Sequence, residues 1–154
     1  MIKAGLIGSV VGFIYVMSLT LLSPFCTLCF TPLLGIGVGY IAGWFDQSAS
    51  VEAGLSRGIV AGVITSVGVV VGQMLATMVN GILVTNSEQL PILMRDIGLS
   101  NFVITNPTDY WQATFTVNSL CSIFNFGLII GLGALGGAIW FQIHKPVLLS
   151  EMSS

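Results

Sequence analysis

GIVAGVITSVGVVVGQMLATMVNGILV, residues 58–84, decides the fold. Its 27 residues include no Asp, Glu, Lys or Arg. A helix of that length rises about 40 Å, more than the roughly 30 Å hydrocarbon core of a bilayer. In lipid a helix satisfies its own backbone hydrogen bonds, whereas an open sheet edge strands polar groups at several kcal/mol each. The stretch therefore predicts a membrane-spanning helix.

Three further windows, 4–22, 27–45 and 115–141, are equally free of charge, and all ten charged residues of the chain lie outside the four windows. The whole 154-residue chain is 55% hydrophobic and 6% charged, with a mean hydropathy of +0.99. Soluble domains carry charge on roughly a quarter of their positions, so an ordinary soluble globule is excluded. The expected fold is all-α: one transmembrane domain over 1–154, an integral membrane antiparallel four-helix bundle with a long outer loop at 85–114 between helices 3 and 4. A formal net charge of −2 supplies no basic surface for phosphates, so nucleic acid is not an expected partner.

The first window follows Lys3 as a secretory signal would, but Leu21-Leu22-Ser23-Pro24 has no small-residue cleavage pattern, and the window is expected to be retained. Only 23–26 separate it from the second window, which predicts a tight turn around Pro24. An even number of spans puts both termini on one side, together with Lys3, Arg57 and Lys145, leaving Arg95 opposite. The positive-inside rule then predicts cytoplasmic termini in the cell membrane. Trp44-Phe45 and Trp140-Phe141 are expected to close helices 2 and 4 at the inner boundary, with Tyr110-Trp111 at the outer one.

In the short second connection, Ser50 and Glu52 are placed to cap an extended start of helix 3. In the long third one, residues 90–97 read as an interfacial helix, Asn106-Pro107 as a turn, and Thr108-Asp109 as an early cap of helix 4. A loop of this length suits either a partner's docking or a simple lid.

Glycine occurs at 19 positions, many of them four apart. Gly8 and Gly12; Gly35, Gly39 and Gly43; Gly54, Gly58 and Gly62; Gly68 and Gly72; Gly127 and Gly131; Gly133 and Gly137 all form small-xxx-small rows. Such rows let helix backbones approach closely in lipid, and rows on several faces allow self-association or contact with other subunits. Residues 35–45 and 131–141 share Gly, Gly, Ala, Trp and Phe, and 4–10 weakly match 61–67, which suggests a duplicated hairpin.

Gln73, Thr77 and Asn80 fall on one face of helix 3, and Asn118, Ser122 and Asn125 repeat that spacing on helix 4. They are expected to form one interhelical hydrogen-bond cluster, or alternatively a polar path for a small solute. No intramembrane carboxylate, lysine or histidine accompanies them as a proton carrier. His144, the only histidine, lies beyond Trp140-Phe141 and reads as a solvated helix end, which leaves pigment or haem without an axial imidazole inside the bundle.

Cys26-Thr-Leu-Cys29 opens helix 2, and Cys121 lies in helix 4. A CxxC there, four spans and a long third loop resemble the DsbB family of membrane thiol oxidoreductases, a resemblance that implies a redox pair at Cys26 and Cys29. The chain departs from that family at Phe30-Thr31-Pro32-Leu33, where the family carries a basic quinone-interacting residue, and it has no cysteine in 85–120 to act as a relay. The glycine-rich helices, the cysteine-proline turn at 26–32 and the Gly-Leu-Gly-Ala-Leu-Gly-Gly-Ala ending at 131–138 resemble uncharacterised four-span bacterial membrane proteins, which implies the fold alone.

No phosphate loop, G-x-S-x-G elbow or carboxylate pair on a shared helix face is present. The expectation is a non-catalytic membrane accessory or assembly subunit without metal or cofactor beyond bound lipid, with thiol oxidoreductase and small channel or transporter as alternatives.

Overall fold

A computed structural model describes residues 1–22, 27–86 and 107–152, with side chains over 1–19, 29–82, 111–112 and 114–144. Among the described residues the protein is all-α, with no strand. Its helices are α1 (Ile2–Leu22), α2 (Thr27–Asp46), α3 (Val51–Asn86) and α4 (Pro107–Met152). Among the described residues, three of them contain stretches long and apolar enough to cross a membrane, Ile2–Leu19, Val51–Ile82 and Thr114–His144, with mean hydropathies of 1.8, 2.1 and 1.8. The remaining expected span, 27–45, is helical too, with Pro32 inside α2.

All four helices are longer than their charge-free windows, α1 and α2 by one or two residues and the other two by many. α3 starts at Val51 rather than 58, because Ser50 caps it: the Ser50 Oγ accepts the Ala53 N–H at 3.1 Å, and Glu52 sits in the first turn. α4 starts at Pro107, a residue suited to a first helical position, and continues past 141 to Met152. The connection expected at 85–114 is correspondingly shorter at both ends, since α3 runs to Asn86 and α4 starts at Pro107. Absence of charge marks where lipid can lie, whereas a helix keeps its backbone bonds in water as well. The rest of that loop, with the expected helix at 90–97, lies outside the described residues, as do the turn at Pro24 and Cys26.

Between α2 and α3, Gln47 takes a left-handed backbone conformation with φ 43°, which ends α2. Arg57 reaches back from α3 and donates Nη1–H to the Asp46 carbonyl at 2.6 Å and to Ser48 Oγ at 3.2 Å. A cation on the terminal carbonyl complements the negative end of the helix dipole, so this short connection is locked. The Met1 amino group pairs with the Asp46 carboxylate on the same corner.

α2 and α3 each pack against all three other helices, and α1 and α4 flank them. Residue numbers climb together where α1 meets α3: Gly5 faces Ile64, Gly8 faces Thr65, and Gly12 faces Val69. They also climb together where α2 meets α4, with Gly35 on Ile129 and Leu132, Gly39 on Gly133, and Gly43 on Trp140. Between α3 and α4 they run oppositely: Gly62 faces Ile129 and Ile130, Gly58 faces Gly133, and Gly54 faces Gly137. The two segment pairs that resemble each other in sequence, 35–45 with 131–141 and 4–10 with 61–67, thus lie side by side.

What is buried separates this protein from a water-soluble one. The core holds Ala4, Val38, Ala42 and Ala61 in one cluster and Val16, Val69 and Ile129 in another, together with the fully buried polar side chains of Gln73 and Asn125. Meanwhile Ile123 and Phe124 are 70% and 67% exposed, and Leu6, Ile14 and Leu33 also point outward. Large apolar groups outside and small or polar ones inside reverse the aqueous arrangement. The inversion suits lipid, where close backbone approach and interhelical hydrogen bonds hold helices together.

Candidate functional site

Gln73 is the hub of the polar residues. It is wholly buried on α3 and faces α4. Its Nε2–H donates to Asn118 Oδ1 at 2.8 Å, and its Oε1 accepts the Ser122 hydroxyl at 3.0 Å. The Gln73 main-chain carbonyl accepts the Asn118 Nδ2–H at 3.3 Å and the Thr77 hydroxyl at 2.7 Å. The i, i+4 spacing on each helix makes this possible, since it brings two polar side chains to one face one turn apart.

The single cluster expected from sequence is in fact two. Gln73, Thr77, Asn118 and Ser122 are brought together, but Asn125 turns to α2, where its Oδ1 accepts the Thr31 hydroxyl at 2.9 Å. Asn80 is half-buried one turn further along α3 from Thr77. Thr31 was not legible as a partner, because a lone threonine beside Pro32 has no repeat to reveal its face. Asn125 Nδ2 and Trp140 Nε1 are buried without hydrogen-bond partners among the described residues.

Glycine rows do the rest of the joining. At Gly133 three helices meet: β-carbons placed at Gly39 of α2 or Gly58 of α3 would both collide with the Gly133 carbonyl. Gly8, Gly12, Gly35, Gly43, Gly62, Gly68, Gly72 and Gly137 also face a neighbouring helix at close range. Gly5, Gly81 and Gly136 do so as well, although their spacing did not single them out; Gly81 carries the Trp111 indole. Gly127 and Gly131 differ from the expectation. They lie on the exposed face of α4, with nothing among the described residues within 4 Å of an added β-carbon, because the α4 face that meets α2 and α3 runs through Asn125, Ile129 and Gly133 instead.

The two aromatic pairs expected at the inner boundary differ in burial. Trp44 and Phe45 are exposed at the end of α2. Trp140, by contrast, is only 3% exposed, packed on Gly43 and stacked on His144 at 4.7 Å between ring centroids. His144 is half-buried rather than a free helix end, and its Nδ1–H donates to the Trp140 carbonyl at 2.9 Å.

Cys29 is exposed and Cys121 buried, both as free thiols. Thr31 faces Asn125, and Cys29 lies two residues earlier, about 200° around the helix, so it points away from the α4 face that carries Cys121. Among the described residues no group of three His, Cys, Asp or Glu side chains could hold a metal ion. No protein-family model, curated protein or solved structure matches the chain. Both family resemblances therefore rest on the residues quoted for them.

Proposed function

We propose that this protein is a non-catalytic accessory or assembly subunit of a larger membrane protein complex, built as an antiparallel four-helix bundle with a long outer loop. It resides in the cell membrane with both termini cytoplasmic, an orientation supported by Lys3, Arg57 and Lys145 on one side against Arg95 on the other. The observation that carries this reading is the use made of the polar side chains. Gln73, Asn118, Ser122 and Thr77 bond to one another across or along α3 and α4, which is how polar groups join helices in lipid. The exposed Gly127 and Gly131 row leaves one α4 face for a neighbouring subunit. The test is the native mass of the protein extracted from its own membranes in mild detergent, with every co-migrating polypeptide and pigment identified. Stable co-migration with a larger assembly is the expected result. Migration alone, as a monomer or small homo-oligomer, overturns it.

The exposure of Cys29 at the start of α2 favours thiol oxidoreductase as the second reading. Replacing Cys26 and Cys29 by serine removes that activity if it exists; unchanged oxidation of substrate thiols eliminates the reading.

A further inference from the structure

A groove of about 470 Å³ opens on the outer surface between α3 and α4, within the roughly 300–1,000 Å³ range of small-ligand clefts. We propose that it holds one acyl chain of a membrane glycerophospholipid, with the ester end of that chain at Ser119. The inference rests on the membrane-spanning reading of α3 and α4.

Depth is the first argument. The charge-free windows 58–84 and 115–141 have 27 residues each. They rise about 40 Å, close to the roughly 40–45 Å of a bilayer with both headgroup layers. Thr77, Asn118 and Ser119 then sit about 4–11 Å inside the outer ends, where headgroups give way to hydrocarbon. Val70 and Phe126, which line the other end of the groove, sit about 16–21 Å inside. The groove thus runs from a polar end at the ester level to an apolar end toward the midplane, the polarity profile of an acyl chain hanging from its ester.

Chemistry is the second. No lining residue is charged, which suits a neutral occupant at this depth. Thr77 and Thr116 turn their hydroxyls back onto helix carbonyls, whereas the exposed Ser119 hydroxyl has no partner among the described residues. An unpaired hydroxyl facing hydrocarbon is unfavourable, and an ester carbonyl is an acceptor fixed at that level. Met74 and Met78, flexible thioethers on the rim, adapt to a chain without a fixed shape.

The test places the full chain in palmitoyl-oleoyl phosphatidylcholine vesicles, washes them with alkaline carbonate, re-extracts the protein in mild detergent and counts retained phospholipid by native mass spectrometry. The expected result is about one phospholipid per chain, with the affinity about three-fold weaker in Ser119→Ala, the equivalent of one interhelical-strength hydrogen bond. Ser119→Trp, which fills the groove, abolishes retention, and Ile7→Trp on the exposed face of α1 leaves it intact. Ser119→Ala carries the test if the tryptophan variant misfolds. Wild-type protein without phospholipid, or full retention by Ser119→Trp, overturns the proposal. So does a dimer that Ser119→Trp dissociates, which assigns the groove to a second copy. Release of the chain by carbonate defeats the membrane-spanning reading and the proposal with it; a chain that stays in the membrane but carries no phospholipid defeats the lipid proposal alone.

Discussion

Gln73 of α3 and Asn118 of α4 hold each other at two points, side chain to side chain at 2.8 Å and side chain to main chain at 3.3 Å. Each sets the rotation and the height of the other's helix, so the pair fixes register as well as proximity. Ser122 and Thr77 complete the hub.

Truncating Gln73 to Ala leaves Asn118 and Ser122 with unpaired polar groups and should destabilise the fold by about 1–3 kcal/mol. A double-mutant cycle with Asn118→Ala should return a coupling of about 0.6–1.7 kcal/mol, read from reversible unfolding in bicelles. Zero coupling would mean that the two side chains do not interact in the membrane.

The Thr31–Asn125 pair behaves differently, because Asn125 Nδ2 is already unpaired. Thr31→Val alone should cost about 1 kcal/mol by stranding Asn125 Oδ1 too. Thr31→Val with Asn125→Leu should be close to neutral or stabilising, since replacing both partners removes the desolvation penalty. The same unfolding assay orders the variants.

Glycines of the same sequence pattern should respond in opposite directions. Gly39→Ala drives a β-carbon into the Gly133 carbonyl and should cost about 1–3 kcal/mol or separate α2 from α4. Gly127→Ala meets open space and should be neutral or stabilising by up to about 1 kcal/mol in the isolated chain. If Gly127→Ala instead breaks a larger native complex without lowering the chain's own stability, it marks the subunit face.

Arg57→Met should free the end of α2, since both hydrogen bonds to Asp46 and Ser48 go with it. The expected loss is about 1–3 kcal/mol, with faster amide exchange over 46–50 as the local readout. Arg57→Lys should recover part of it by keeping the cation at the helix terminus.

With Cys26 replaced by serine, Cys29 in detergent should alkylate much faster than Cys121, because one thiol is exposed and the other buried. Equal rates would contradict the orientation of α2.

The sequence by itself determined the helical class, the apolar stretches in α1, α3 and α4, the Ser50 cap and the Gln73–Asn118 face, because absence of charge, helical spacing and capping chemistry are local properties. Helix ends were less legible, as α3 and α4 show, because a helix continues beyond lipid. Only the tertiary structure decided which of several similar glycine rows faces a neighbour, so that Gly133 sits at a three-helix junction while Gly131, two residues earlier, faces outward. It also split Asn125 from the Gln73 hub and buried Trp140 under Gly43. In an apolar sequence every helix face looks suitable for lipid, so the face that packs is selected by backbone fit across helices.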